Sequence, residues 1–193
     1  MMTRMKPERI VCIPGNGGGG GSDGWFAYIK HTMETEEGIP CITDPMPDPV
    51  LARASVWLPH MEETLHVDAS TLLIGHSSGA IAAMRYTETH RVAGLILIGT
   101  YHTDLGDADE QASGYFNTPW EWEHIKSNIG RAGTTVFASE DDPYIPITEP
   151  RHVAESLDAY LYELYGEGHF VGNPYGTKTE FPELLHVLRS KTH

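Results

Sequence analysis

Short apolar runs alternate along this chain with longer stretches in which apolar residues recur every three or four positions. The runs at Arg9–Ile13 and at residues 40–43, 71–74, 92–98, 134–138 and 159–164 read as strands. The longer stretches at 25–36, 50–65, 78–90, 147–157 and 181–189 read as helices. Residues 92–98 are apolar at both alternating sets of positions, a pattern that suits a strand covered on both faces. Regular alternation of strand and helix predicts an α/β fold: a three-layer sandwich with a mostly parallel sheet of about six strands, helices on both faces and ligand sites at the carboxyl ends of the strands. At 193 residues the chain suits a single domain over 1–193. Residues 100–131 break the alternation and exceed an ordinary crossover, so they read as a small cap-like insertion. Its aromatics Tyr115, Phe116 and Trp120 either line a substrate pocket or, with Trp122, anchor short helices to the core.

Between the predicted strand at 71–74 and the helix that follows stands Gly75-His76-Ser77-Ser78-Gly79. A serine on a sharp strand-to-helix turn has strained backbone angles and crowded neighbours, which is why glycines flank it, and its hydroxyl is held out above the sheet. In a chain with 20 glycines the pattern alone carries little, and the warrant comes from the strand before it and the helix after it. The small residues Gly79, Ala80, Ala82 and Ala83 also fit a helix that packs tightly on the sheet whether or not Ser77 reacts.

A serine hydroxyl needs a base within hydrogen-bond reach and a carboxylate that holds the base in the right tautomer. Downstream come Glu140-Asp141-Asp142-Pro143, after the strand at 134–138, and Gly166-Glu167-Gly168-His169-Phe170, after the strand at 159–164. Serine, then aspartate, then histidine, each on a loop after a strand, is the order of α/β-hydrolases. His169 is the expected base among 11 histidines, because others such as His31, His90 and His186 fall in predicted helices where a solvated or packed role suffices. Asp141 and Asp142 both remain candidates for the acid. Asp142 is preferred because Pro143 imposes an extended backbone on it. His76 reads as packing beside the turn with an outer hydrogen bond. The backbone N–H groups of Ser78 and Asn16 are the expected oxyanion donors, with Gly17 in reserve, and the helix starting at Ser78 adds its dipole.

Charge and composition narrow the partners. The chain carries 27 acidic and 13 basic residues, a formal charge of −14, so nucleic acid and anionic membranes are poor partners and neutral or cationic small molecules are favoured. Asp23, Glu140 and Asp141 near the expected site point to an amine-bearing acyl group, and the cap aromatics to an apolar or aromatic side chain. Two cysteines, no apolar run of membrane-spanning length and no signal-like leader predict a cytoplasmic protein. No cofactor is expected. Gly15-Asn16-Gly17-Gly18-Gly19-Gly20 satisfies G-x-G-x-x-G, with Asp44 about where a ribose-binding acid would fall, which is the rival reading of a dinucleotide-binding oxidoreductase. Within the glycine run from Gly17 to Gly21, however, nearly any glycine spacing is found. No metal site is expected: there is no H-E-x-x-H, no cysteine pair at ligand spacing, and residues 104–110 lack the spacing of a calcium loop.

Pro14-Gly15-Asn16-Gly17-Gly18-Gly19, Met46-Pro47-Asp48-Pro49, Trp57-Leu58-Pro59, the stretch from Ile74 to Tyr86, Ser113-Gly114-Tyr115-Phe116 and Gly168-His169-Phe170 together resemble the small serine hydrolases named for a retinoblastoma-binding protein. The resemblance runs through nearly the whole chain. It implies a compact α/β-hydrolase fold with Ser77 as nucleophile, Asp142 as orienting acid and His169 as base, and hydrolysis of small esters or amides of aminopeptidase-like or amino-acid-ester type. The family's animal member is named for binding a pocket protein through L-x-C-x-E. The corresponding stretch here, Leu65-His66-Val67-Asp68-Ala69, lacks both the cysteine and the glutamate, so that partner does not carry over. The same departure weakens the alternative of an interaction module on an inactive hydrolase scaffold.

Overall fold

The computed structural model describes residues 6–17, 23–173 and 176–192. Strands β1 (Arg9–Ile13), β2 (Cys41–Ile42), β3 (Thr71–His76), β4 (Val92–Ile98), β5 (Ile129–Ser139) and β6 (Tyr160–Leu164) form one sheet in the order β2-β1-β3-β4-β5-β6, with every pairing parallel. Helices α1 (Trp25–Thr35), α2 (Ala54–Glu63), α3 (Ser78–Thr87), α4 (Ala108–Ser113), α5 (Trp122–Asn128), α6 (Thr148–Ser156) and α7 (Pro182–Thr192) complete the fold with a short antiparallel hairpin, β7 (Gly172–Asn173) and β8 (Gly176–Thr177).

Side-chain alternation divides the core in two. Val11, Ile13, Leu73, Leu95, Leu97 and Val136 face a cluster that includes α2, α3 and α6 through Trp57, Met61, Ala80 to Met84 and Val153. Ile10, Cys12, Leu72, Ile74, Ile96, Ile98 and Phe137 face the other, with Trp25, Ile29 and Met33 of α1 and Leu184 and Leu188 of α7. Because residues on one strand point to opposite faces with a period of two, the continuous apolar runs fill both layers at once, as the three-layer reading expects. From β1 the chain steps outward to β2 and then returns across β1 to β3. The loops after β1 and β3 therefore part in opposite directions and leave a crevice at the carboxyl ends, where ligands bind in open α/β sheets.

Several boundaries differ from those expected, each for a local reason. The helix expected from residue 50 begins at Ala54, because Asp48 and Ala52 both take positive φ (48° and 50°), and the Asp48 carboxylate accepts the Arg53 backbone N–H at 3.1 Å. β5 starts at Ile129 rather than 134. Its first half contains Gly130 and Gly133, residues poor in strand propensity, and its pairing with β4 shifts register between Val92 and Gly94. α3 stops at Thr87 rather than 90, where the Asn128 side-chain amide donates to the carbonyls of Thr87 and Glu88 at 2.9 and 3.1 Å.

Candidate active site

Ser77 sits between β3 and α3 with φ 53° and ψ −123°, in the left-handed half of backbone space that a side-chain-bearing residue adopts only where its surroundings hold it. Its N–H donates to the Ile98 carbonyl at 2.9 Å and its own carbonyl accepts from Ala80 N–H at 2.8 Å, so the turn is fixed on both sides. The two glycines around it are required by close approach. A Cβ on Gly75 would lie 2.6 Å from the Ala80 nitrogen, and one on Gly79 would meet the main-chain carbonyls of Ile13 and Pro14. All ten residues of α3 are buried, so the helix has no room to retreat.

The loops after β5 and β6 converge on this turn. His169 Nε2 lies 2.9 Å from Ser77 Oγ, and His169 Nδ1 lies 2.7 Å from Asp142 Oδ2. Asp142 Oδ1 accepts the N–H groups of Tyr144 and Ile145 at 2.9 and 3.1 Å, so both carboxylate oxygens are engaged and the side chain is only 3% exposed. Gly99, at the end of β4 with φ 56°, lies against the imidazole: a Cβ there would be 3.3 Å from His169 Cε1. In this arrangement Nδ1–H donates to the carboxylate and Nε2 is free to accept the serine proton, the geometry in which a hydroxyl becomes a nucleophile.

Asp141, the other candidate acid, faces away from the imidazole. It accepts the Ser139 hydroxyl at 2.5 Å and the N–H groups of Gly166 and Gly168 at 3.0 and 3.3 Å, which ties the loop after β5 to the loop that carries His169. These bonds hold its carboxyl below the usual carboxylate range.

A cavity of about 760 Å³ opens over Ser77 and His169. Asn16 lines it, and the neighbouring Gly17 N–H is committed to the Pro49 carbonyl at 2.8 Å. Acidic groups face it from Asp23 and from α4 and its cap, Asp107, Asp109 and Glu110, while its lysine, Lys178, is paired with Glu167 at 2.5 Å. Burial raises the Glu110 carboxyl above its ordinary value and pushes the phenol of Tyr101, also in the lining, well up. Of the expected acids Asp23 lines the cavity and Glu140 and Asp141 do not; the remaining acidity comes from Asp107, Asp109 and Glu110.

The expected aromatic pocket needs correction. Tyr115, Phe116 and Trp120 do not line the cavity. Tyr115 is buried in the core, Phe116 stacks on Tyr101 at 5.8 Å, and Trp120 lies under the Arg85 guanidinium at 3.7 Å and donates to the His102 carbonyl. The cause is Arg85 of α3, whose fork donates to the carbonyls of Tyr115, Thr118 and Pro119 at 2.7, 2.7 and 3.1 Å and draws this segment onto the helix. The aromatic wall of the cavity is built from Trp25, Phe26, Tyr101 and Tyr144 instead.

His76 lies deeper than the sequence implied. It is 3% exposed, and its Nε2 is 2.8 Å from the His169 carbonyl oxygen. Of the dinucleotide motif, Gly18, Gly19 and Gly20 lie outside the described residues, and Asp44 is exposed beyond β2. Gly15 serves the turn instead, since a Cβ there would be 3.1 Å from that of Ser77. Among the described residues no group of three or more His, Cys, Asp or Glu side chains is placed to hold a metal ion, and no helix is long and apolar enough to cross a membrane.

Comparison with known proteins bears on family and fold. A family model described as serine hydrolase matches residues 10–189. The rat protein Serine hydrolase RBBP9 is 49% identical over 186 residues, 96% of each chain. The crystal structure of the ydeN gene product of Bacillus subtilis superposes with a TM-score of 0.84 at 24% identity, covering 95% of this chain and 98% of that one. An esterase from Exiguobacterium antarcticum, EaEST, shares the fold at a TM-score of 0.68 and 12% identity, covering 97% and 93% of the two chains.

Proposed function

This chain belongs to the serine hydrolase family, and on that premise we propose that Ser77 is its nucleophile, His169 its general base and Asp142 the carboxylate that orients the base. The observation that carries the assignment is the unbroken hydrogen-bonded series Ser77 Oγ, His169 Nε2, His169 Nδ1, Asp142 Oδ2, whose serine and histidine line the cavity. As Ser77 Oγ bonds to the substrate carbonyl carbon, its proton passes to His169 Nε2. The imidazolium then gives that proton to the leaving alcohol or amine as the ester or amide bond breaks, leaving an acyl-serine. Water repeats the sequence with His169 as base and releases the acid. The oxyanion is held by the N–H groups of Ser78 and Asn16, a reading supported by the commitment of Gly17 N–H to Pro49.

The substrate is a small ester or amide whose acyl part carries a protonated amine, as in aminoacyl derivatives. The acidic residues Asp107, Asp109 and Glu110 on one wall, with Asp23 also in the lining, support this, as does the pairing of the cavity's Lys178 with Glu167. The aromatic side of the cavity suits an apolar side chain on the same acyl group.

Two measurements test the reading. Ser77→Ala leaves the fold intact, abolishes labelling by a fluorophosphonate and lowers turnover by about six orders of magnitude, the loss typical when a triad serine is removed. A variant with near-native turnover overturns the nucleophile assignment. In a panel of chromogenic esters and anilides, aminoacyl substrates are hydrolysed with higher kcat/KM than the matching acyl compounds without the amine. Equal rates would refute the cationic-substrate reading while leaving the triad standing.

A further inference from the structure

The loop that carries His169 has a feature that the proposed triad does not use. Phe170, directly after the histidine, has φ 65°, a left-handed conformation that a bulky side chain rarely adopts, and it is completely buried. A strained turn one residue from the base must be held from outside, or it relaxes and carries the imidazole with it.

Two side chains hold it. The His169 carbonyl accepts from His76 Nε2 at 2.8 Å, and the next carbonyl, that of Phe170, accepts from Trp25 Nε1 at 2.8 Å. A carbonyl can only accept, so Nε2 of His76 carries the hydrogen. The His76 ring is buried, meets the edges of Trp25 and Phe26 at 6.3 and 6.5 Å, and lies 4.9 Å from the ring of His169. His76 is also bonded to Ser77 through a single peptide unit. One rigid strand end therefore carries both the nucleophile and the anchor of the base, and the 2.9 Å gap between Ser77 Oγ and His169 Nε2 is closed through a small ring of atoms.

We propose that His76, with Trp25, is a positioning residue for the catalytic base, its N–H and the indole N–H clamping the consecutive main-chain carbonyls of His169 and Phe170. This rests on His169 acting on Ser77 as set out above. Burial pushes the His76 pKa down to about 3, so its donor pattern stays constant at neutral pH. The clamp touches the backbone of the base and not the reacting atoms, so it acts through alignment, where a displacement of about 1 Å is worth roughly a hundredfold in rate.

The test is the rate of fluorophosphonate labelling at Ser77, split into the maximal labelling rate and the half-saturating probe concentration, for wild type, His76→Leu, His76→Gln and Trp25→Phe. His76→Leu, which has no donor, lowers the maximal rate by about 10- to 100-fold and leaves the half-saturating concentration within twofold. His76→Gln, whose amide nitrogen reaches the place of Nε2, recovers most of the rate. Trp25→Phe lowers it in the same sense. A residue that mattered for stability alone would change the urea midpoint and the fraction labelled, not the maximal rate of the folded fraction. If His76→Leu does not fold, His76→Asn, too short to reach the carbonyl, takes its place. A maximal rate for the Leu or Asn variant within twofold of wild type, or a Gln variant no faster than Leu, overturns the clamp. A wild-type chain that does not label at all defeats the assignment of Ser77 and the clamp together.

Discussion

Asp141 and Asp142 share a loop, a charge and a side-chain length, and the structure gives them different partners. Asp142 meets His169 at 2.7 Å, whereas Asp141 joins Ser139 to the backbone of residues 166 and 168. Asp142→Asn is expected to lower kcat by about 10⁴, because the amide favours the wrong imidazole tautomer. Asp141→Asn, which keeps an acceptor oxygen, is expected to cost about tenfold or less. Steady-state kinetics on the two variants checks the order, and a reversal would reassign the acid. The proline at 143, by restricting the backbone before it, favoured in the sequence the carboxylate that the structure places against His169. The role of His76 had no such signal, because its acceptor is a main-chain carbonyl 93 positions away. That burial has a consequence for acid stability. Desolvation lowers the His76 pKa to about 3, the charge of a protonated His169 works in the same direction, and the bond to the His169 carbonyl and the charge of Asp142 oppose them. The folded pKa is below the unfolded value of about 6.5. The full stabilisation is therefore present above pH 6.5 and is lost as pH falls toward 3, since only the unfolded chain takes up the proton. Between pH 6 and 4 the unfolding free energy of wild type in urea should fall more steeply than that of His76→Gln, by on the order of 1 kcal/mol per pH unit.

At the scale of elements, apolar period and length were enough to place six strands in order, because a buried parallel strand is apolar on both faces and a crossover helix on one. Ends were less legible. The start of α2 depends on positive φ at Asp48 and Ala52, the end of α3 on Asn128 from 40 residues further on, and the early start of β5 on Gly130, which lies close against Ala93, and on Gly133 at φ 66°. The segment between β4 and β5 illustrates the same limit. Its aromatics could either line a pocket or anchor short helices, and they turn inward because one buried guanidinium gathers three of its carbonyls. Arg85 also pairs with Glu88 at 2.7 Å, and Glu88 accepts the Glu121 N–H at 3.0 Å, so the two side chains join α3 to the segment between α4 and α5 and to the start of α5. Arg85→Ala leaves those groups without partners and should lower stability by about 3 kcal/mol in urea unfolding. Arg85→Lys should recover only part of it, because an ammonium cannot reproduce the fork.

For the whole molecule, the charge of −14 and an acidic cavity wall act together on approaching substrates. For a cationic aminoacyl substrate kcat/KM should fall as salt rises from 10 mM to 1 M, as screening shortens from about 30 to 3 Å, and for an uncharged one it should stay nearly flat. Equal salt dependence for both would remove the electrostatic argument. The sequence by itself determined the order of strands and helices, the sharp turn at Ser77 and the three loops on which reactive side chains stand. Those features follow from sterics and periodicity among neighbours in the chain, where a glycine or an apolar spacing has the same meaning in any surroundings. Only the tertiary structure decided which carboxylate meets the imidazole, which acids and aromatics face the cavity, and that a histidine beside the serine holds the backbone of another 93 residues away. Each of those depends on the direction in which a side chain leaves a loop once sheet register and helix packing have fixed where the loop lies, and residues distant in the chain set that direction together.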